Sequence, residues 1–248
     1  MQSCELVPRG TGVFMRALTR SIYGTPAQSA RKAADHGLSW VALMAWSIVG
    51  DPPRERMQGL TPIAEYGQAF RERGIDPWVW FYPLHAEAPE EAARAAGKAL
   101  EACHGRGLIL DPEKPYKGQP GAMRRLVDAS LDELDESQGI AMTSFPLARL
   151  HPTMPWAEMV AGTGMPQTYT ITPANARKAV GEWRERGHTS IVPIGPAFGA
   201  RSGTALRKYL SDAFLDAGKP IVDGVGLWSW PQMNLREWKT IEAVAKWW

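Results

Sequence analysis

The chain has 248 residues with 44% hydrophobic content, which fits one large globular domain. Its formal net charge is only +2, and no apolar run is long enough to span a bilayer, so we expect neither nucleic acid nor a membrane as a partner. The two cysteines, Cys4 and Cys103, form no Cys-x-x-Cys pattern, and the five histidines include no His-x-His pair. We therefore expect no disulfide framework, no metal and no cofactor, and we expect a monomer.

Residues 1–11 differ in character from the rest of the chain. The run Leu-Val-Pro-Arg-Gly at 6–10 resembles a thrombin-cleavage linker of an expression vector. We interpret 1–11 as the remnant of an expression tag and place the folded domain at 12–248. No charged stretch followed by an apolar one is present at the start, so we expect no secretory signal in this sequence.

Short apolar runs alternate along the chain with amphipathic runs, and together they predict eight strand–helix units. Helices open with Thr-Pro, as at Thr25 and Thr61, and close at glycine. Such alternation implies parallel strands with right-handed crossovers, and eight units in a chain of this length predict a single-domain α/β fold, the (β/α)8 TIM barrel. No Gly-x-Gly-x-x-Gly follows the first strand, which argues against a dinucleotide fold. The predicted strands are 13–18, 38–46, 78–82, 108–111, 140–144, 165–170, 191–194 and 222–228.

Two acids follow the fourth predicted strand, whose apolar run begins at Gly107. Side chains alternate between the faces of a strand, so Ile109, Asp111 and Glu113 share one face. Pro112 cannot donate to a sheet ladder and marks the end of the strand. Barrel enzymes carry their active sites at the carboxyl ends of the strands, so the two acids are the strongest candidates for catalysis.

Glu113 is the predicted general acid. A carboxyl group among aromatic side chains at a barrel mouth has a raised pKa, because desolvation penalises its charged form. A proton donor that works near neutral pH needs this property. Asp111 is predicted to assist, by a hydrogen bond to Glu113 or by orienting the substrate. The alternative is a polar loop in which Lys114 and Lys117 form ion pairs with the two acids.

Polar and aromatic side chains at other strand ends are the candidates for binding a substrate. Gln167 and Tyr169 share a face of the sixth strand, and Trp228 and Trp230 share a face of the eighth, where two glycines leave room at the barrel centre. An inward-pointing arginine on the first strand needs a partner, which either acid supplies. Packing of the barrel interior is the alternative for each position. The substrate-binding candidates are Trp228, Trp230, Gln167, Tyr82, Trp46 and Arg16.

Three segments, 111–113, 165–169 and 226–230, resemble the barrel glycoside hydrolases that cleave N-acetylhexosamine polymers. Two groups are similar, the family 18 chitinase-like and the family 25 lysozyme-like enzymes, and the chain resembles a divergent member. The resemblance implies that Glu113 is the proton donor, that Asp111 orients an acetamido group, that Tyr169 assists and that Trp228 floors the binding site.

The chain departs from both groups at known acidic positions. The chitinase-like enzymes carry further acids upstream on the fourth strand, where this chain has Arg106 and Ile109. The lysozyme-like enzymes carry an acid on the first strand, and the predicted strand 13–18 has none. The resemblance therefore covers the architecture and rests on short motifs.

The count of acids favours a substrate-assisted mechanism. A conventional glycosidase needs a second carboxylate across the sugar, and no acid occurs at the ends of the fifth, sixth or seventh predicted strand. Attack by the substrate's own acetamido oxygen restricts the substrate to an N-acetylated polysaccharide such as peptidoglycan or chitin. We therefore expect a glycosidase of the cell envelope, whether extracellular, periplasmic or delivered by a phage.

Two other functions stay open. A degenerate barrel with aromatic strand ends binds glycan without cleaving it. A phosphate-handling barrel enzyme is less favoured, and its candidate site is the glycine-rich loop 195–203, which includes Arg201 and precedes a helix N-terminus.

Overall fold

The protein is described by a computed structural model covering residues 6–49, 54–57, 59–160, 162–197 and 203–248. Of residues 46–49, 54–57, 203 and 204 only the backbone is described. Among the described residues, no helix combines the length and the apolar character needed to cross a bilayer.

Eight parallel strands form the barrel, as the sequence predicts. Each strand pairs with its neighbour in the chain, and the last pairs with the first through Gly10 and Gly224. Isolated bridges from Gly164 to Ile191 and from Gln167 to Ile194 join the sixth strand to the seventh. The strands are β1 (Gly10–Met15), β2 (Trp40–Val49), β3 (Asp76–Phe81), β4 (Gly107–Leu110), β5 (Gly139–Ser144), β6 (Thr163–Pro166), β7 (Ile194–Pro196) and β8 (Gly224–Trp228).

Helices surround the barrel and bury their apolar faces on it. The Thr25 hydroxyl accepts a hydrogen bond from the Gln28 amide and Thr172 accepts one from Asn175, which caps two of the helices as the Thr-Pro signals predict. The helices are α1 (Arg20–Tyr23), α2 (Pro26–Asp35), α3 (Leu60–Arg71), α4 (Pro89–Cys103), α5 (Pro120–Asp132), α6 (Pro173–Glu185), α7 (Gly203–Phe214) and α8 (Leu235–Val244).

Three features depart from the regular repeat of strand and helix. Between β5 and β6 the described chain forms two 3-10 turns, Ala148–Leu150 and Trp156–Met159, in place of the α-helix that the strand–helix repeat predicts there. A short strand, Arg54–Met57, pairs antiparallel with the end of β2. A two-stranded ribbon, Leu215–Asp216 with Lys219–Pro220, follows α7.

The barrel interior is a packed core. Alternate residues of each strand point inward, and the inward set includes Phe14, Trp40, Trp78 and Met165, all buried. A Cβ placed on Gly226 would lie 3.0 Å from both the Phe14 and the Trp40 ring. The room predicted at the glycines of β8 is therefore not an open space, because these two rings fill it at Gly226 and the backbone of Gly10 and Pro8 lies against Gly224.

The boundary predicted at residue 12 is wrong at the structural level. Gly10 and Thr11 belong to β1 and pair with β8, and Val7 packs against the interior cluster at the bottom of the barrel. A linker-like sequence indicates the origin of a segment. It does not determine whether the apolar side chains of that segment pack against the core. The origin of 1–11 as a tag remnant stays a prediction.

Candidate active site

A cavity of about 470 Å³ opens at the carboxyl ends of the barrel strands. Among the described residues, its acidic lining consists of Asp111 and Glu113. Six predicted site residues line it together, drawn from five different strand ends: Asp111, Glu113, Tyr169, Trp228, Tyr82 and Arg16. The structure thus brings these six side chains together at one end of the barrel, and their roles stay predictions.

The loop that carries both acids is held at its start and at its middle. β4 ends at Leu110, and the Asp111 amide donates to the Phe81 carbonyl at 3.0 Å. The buried Ser144 hydroxyl donates to the Pro112 carbonyl at 2.7 Å, and a 3-10 turn begins directly after Glu113. Both carboxyl groups are therefore fixed relative to the strands.

Gln167 joins the two acids. Its side-chain Nε2 donates to Asp111 Oδ1 at 2.8 Å and to Glu113 Oε1 at 3.0 Å, so both oxygens lie within 3.0 Å of one nitrogen. The Tyr169 hydroxyl donates to Gln167 Oε1 at 2.8 Å, which fixes the orientation of the amide. Gln167 itself is only 8% exposed, so it acts beneath the cavity and not on its lining.

Burial raises the pKa of both acids. For Asp111, 5% exposed, desolvation is the largest cause of its raised pKa and the negative charge of Glu113 is the next; the hydrogen bonds from Trp80 and Gln167 act in the opposite direction. Desolvation likewise raises the pKa of Glu113, against hydrogen bonds from Gln167 and Tyr82. Two neighbouring carboxylates do not readily ionise together, so the pair holds one proton to a higher pH than an isolated carboxyl does.

Two tyrosine hydroxyls lie beside the acids. Tyr82 donates a hydrogen bond to Glu113, and Tyr169 reaches the acids through Gln167. Burial, reinforced by the two negative charges, raises the pKa of both phenols, so both stay protonated donors. Glu113 thus accepts hydrogen bonds from two neutral groups, the Tyr82 hydroxyl and the Gln167 amide.

Trp228 forms an aromatic wall of the cavity. Its ring lies 6.0 Å from the Tyr169 ring at an interplanar angle of 21°, and edge-on to Trp80 at 5.0 Å. Phe14 supports it from the barrel interior at 5.7 Å. A half-buried indole held on three sides presents a fixed flat face to a ligand.

The placement of Trp230 beside Trp228 is wrong. Trp230 is 4% exposed and lies in the layer between barrel and helices, with its ring 4.6 Å from Trp238 and 6.0 Å from Tyr23. β8 ends at Trp228 and a 3-10 turn begins at Trp230, so the alternation of strand faces no longer applies there.

Arg16 lines the cavity at its rim and not in its interior. The residue follows β1, is exposed, and places its guanidinium carbon 5.3 Å from the Trp228 ring centroid. Its predicted pairing with Asp111 or Glu113 is not formed among the described contacts. The other candidate at this edge, Trp46, lies with its side chain outside the described residues, although its backbone belongs to β2.

A basic cluster flanks Glu113 on the side of β5. Lys117 Nζ donates to His151 Nδ1 at 3.1 Å and lies 4.6 Å from the Phe145 ring, on which His151 stacks at 3.8 Å. Burial and the Lys117 charge lower the pKa of His151. The charge of Lys117 also lowers the pKa of Glu113 and so favours its ionised form. This influence has the direction that the alternative of a polar loop with lysine partners predicts. For Lys114, which is exposed, no ion pair is formed within the described part of the chain.

Several lining residues were missed from the sequence. Strand alternation makes Trp80 an interior residue of β3, and its indole Nε1 donates to Asp111 Oδ2 at 3.3 Å. Met44, Ile22 and Pro231 also line the cavity. Inward parity on β3 and β2 marks Trp80 and Met44 as interior, but parity does not tell how high along the barrel axis a side chain lies.

Two further kinds of site were considered from the sequence, a metal site, which was not expected, and a phosphate site in the loop 195–203. No group of three or more histidine, cysteine, aspartate or glutamate side chains among the described residues is arranged to hold a metal ion. The glycine-rich loop proposed to cradle a phosphate includes 198–202, which lie outside the described residues.

Comparison with known proteins finds similarity in structure alone. No protein-family model and no curated protein sequence matches the chain. The fold is similar to the spore cortex-lytic enzyme SleL of Bacillus cereus, with a TM-score of 0.68, 9% identity, and coverage of 95% of this chain and 74% of that one. It is similar also to active domain 2 of a Pyrococcus furiosus chitinase, solved as catalytic-site mutants with chito-oligosaccharides, with a TM-score of 0.67, 11% identity, and coverage of 100% and 97%.

A third structure of the same fold is a xylanase and amylase inhibitor protein, XAIP-III, with a TM-score of 0.58, 12% identity, and coverage of 95% of this chain and 98% of that one. Hydrolases and an inhibitor thus share this barrel, and at these identities the likeness establishes the fold alone. Function must be argued from the site.

Proposed function

We propose that the protein is a glycoside hydrolase that cleaves an N-acetylhexosamine polysaccharide, either peptidoglycan or a chitin-like polymer. The observation that carries the proposal is the pair Asp111 and Glu113, held by one Gln167 amide at the base of an aromatic cavity. Two proteins of the same fold are SleL, a spore cortex-lytic enzyme, and a chitinase whose structure was solved with chito-oligosaccharides.

Glu113 is proposed as the general acid. Its pKa is raised by burial, so the group retains a proton toward neutral pH and donates it to the departing glycosidic oxygen. Tyr82 then stabilises the resulting carboxylate by the hydrogen bond that it already makes. Lys117 favours the same ionised form, which limits how far the pKa rises.

Asp111 is proposed to act on the substrate's acetamido group. Among the described residues, no third acid lines the cavity to serve as a nucleophile across the sugar. The acetamido carbonyl oxygen therefore attacks the anomeric carbon as the glycosidic bond breaks. Asp111, which is a carboxylate when the one proton of the pair lies on Glu113, stabilises the cation that forms. Water then opens this intermediate, with the Glu113 carboxylate taking its proton. Tyr169 and Trp228 are proposed to hold the sugar.

The first test compares Glu113→Gln with the wild type on purified peptidoglycan and on chitin oligomers, with released reducing ends as the readout. Loss of the acid should lower turnover by about 100- to 10,000-fold while glycan binding persists. Glu87→Gln is the matched control, since Glu87 is an exposed acid on the same face, paired with His85 at 3.0 Å outside the cavity. Equal turnover in Glu113→Gln and wild type would remove Glu113 from its role.

A second substrate set tests the acetamido mechanism. Fully deacetylated chitin oligomers should bind and resist cleavage, because their amines have no carbonyl oxygen to attack. Cleavage of both forms at similar rates would require another nucleophile. Binding of glycan by a wild-type protein that cleaves none would instead support a non-catalytic glycan-binding barrel, the second candidate function.

The proposed site of action is the cell envelope, where these polymers occur. The polysaccharide is the one partner that the proposal requires.

A further inference from the structure

We propose that the site binds an acidic glycan and that Arg16 at the rim of the cavity recognises its carboxylate. The inference rests on the proposed function and narrows its substrate class. It predicts that an N-acetylated sugar bearing a carboxylate, such as the lactyl carboxylate of muramic acid, binds better than the uncharged sugars of chitin.

The guanidinium of Arg16 has no carboxylate partner among the described residues. Within the described part of the chain it forms no ion pair, and its recorded side-chain contact is the Trp228 ring, 5.3 Å from the guanidinium carbon. Some surface arginines have carboxylate partners, such as Arg20 with Glu65 at 3.6 Å and Arg125 with Glu90 at 2.8 Å, and Arg16 is distinguished by lining the cavity. The guanidinium of Arg16 therefore keeps its donors available at the cavity rim.

Arg16 is not among the main influences on the pKa of the two acids. The main influences on the pKa of Asp111 and Glu113 include Lys117 as a cation and do not include Arg16. Arg16, Trp228 and the two acids line the same cavity, and the Trp228 indole contacts Arg16, Trp80 and Tyr169. A ligand in this cavity would thus meet both the acids and the Arg16 guanidinium.

The backbone at Arg16 is held by a hydrogen bond and is followed by a residue with a left-handed φ. The Tyr23 hydroxyl, 6% exposed as a residue, donates to the Arg16 carbonyl. Ala17, which also lines the cavity, has a left-handed φ of 44°, a conformation that non-glycine residues adopt at a cost of about 1 kcal/mol. Strained backbone held by a buried hydrogen bond is typical of functional positions.

Guanidinium matches a carboxylate in a way that no neutral sugar group does. Its planar set of donors forms two parallel hydrogen bonds to one carboxylate, and stacking on an aromatic ring leaves those donors free at the edge. A charge-assisted contact of this kind is expected to change affinity by about 10-fold.

The test measures binding without cleavage. In a Glu113→Gln background, calorimetry compares a peptide-free tetrasaccharide of alternating N-acetylglucosamine and N-acetylmuramic acid with chitotetraose and with the same muramic tetrasaccharide after its carboxylates are converted to amides. Arg16→Gln should weaken the acidic tetrasaccharide by about 10-fold and leave the other two within about 2-fold. Arg16→Lys should retain part of the preference.

Arg20→Gln is the matched control, because Arg20 is an exposed arginine four residues further along the chain whose charge is already paired with Glu65. It should change none of the affinities. Equal weakening of all three glycans by Arg16→Gln would overturn the inference, because it would reduce Arg16 to a support for Trp228. Binding of all three with equal affinity by the background protein would overturn the inference alone. Absence of any binding would overturn it together with the proposed function.

Discussion

At the scale of single residues, the uncharged side chain of Gln167 connects the two acids of the site. Gln167 supplies one amide nitrogen to two buried carboxyl groups and receives the Tyr169 hydroxyl on its oxygen. A buried charge without partners would be costly, and an amide satisfies both acids without neutralising either. The pair therefore keeps a raised pKa, which a lysine in the same place would abolish.

The raised pKa of Asp111 has a measurable effect on stability. A buried carboxyl that holds its proton to higher pH than in the unfolded chain makes the folded state bind more protons above the ordinary carboxyl pKa. The free energy of unfolding should therefore fall as the pH rises through that range toward neutrality. Asp111→Asn cannot ionise, so its melting temperature should exceed that of the wild type at pH 7–8, and the difference should shrink toward pH 4.

Thermal denaturation from pH 4 to pH 8 measures this difference. Asp128→Asn, the same change at an exposed position of α5, should follow the wild-type curve. Parallel curves for the wild type and Asp111→Asn would show that Asp111 gains no proton on folding.

At the scale of elements, the end of β8 separates two tryptophans by function. Trp228 closes the strand with its ring at the cavity, and Trp230 begins a turn that directs its ring among Tyr23, Phe70 and Trp238. Trp230→Ala should reduce the free energy of unfolding by about 3–5 kcal/mol, the usual cost of removing a buried aromatic side chain. Trp228→Ala should lose less stability and more glycan affinity.

Urea unfolding and glycan calorimetry on both variants distinguish these roles. A larger stability loss in Trp228→Ala than in Trp230→Ala would reverse the assignment of the two rings.

β1 approaches its neighbours too closely for a side chain at its centre. A Cβ on Gly12 would lie 2.0 Å from the Trp40 ring, which fills the barrel interior beside it. Gly12→Ala should therefore lower the free energy of unfolding by about 1–3 kcal/mol through overpacking. Gly121→Ala, in α5 with no heavy atom within 4 Å of the added Cβ, should leave stability unchanged or raise it by less than about 1 kcal/mol.

Urea titration followed by tryptophan fluorescence gives both values. Equal stability of the two glycine variants would show that the Trp40 ring moves aside without cost.

At the scale of the whole molecule, the alternation of apolar and amphipathic runs was enough to predict the barrel. The period of the pattern and the glycines that end helices mark each unit, and strand parity placed Asp111, Gln167 and Trp228 on the inner face. These signals depend on residues that are close together in the chain, so they can be read from a single sequence.

The remainder of the site depends on distances that no local pattern records. Whether Trp80 lies at the cavity or below it is decided by the stagger between neighbouring strands, which parity leaves open. Trp230 and Arg16 lie just beyond strand ends, where alternation stops. Val7 joins the core because the barrel has an open bottom to fill, and this follows only from the closed structure.

The pairing of Gly10 with Gly224 has a consequence for how the chain folds. The first strand takes one of its two neighbours from the far end of the sequence, so a nascent chain must wait for that neighbour while β1 keeps an unpaired edge. Such long-range closure slows folding, and the waiting edge invites pairing between molecules. The barrel is therefore most vulnerable to aggregation during synthesis, before Gly224–Trp228 has left the ribosome.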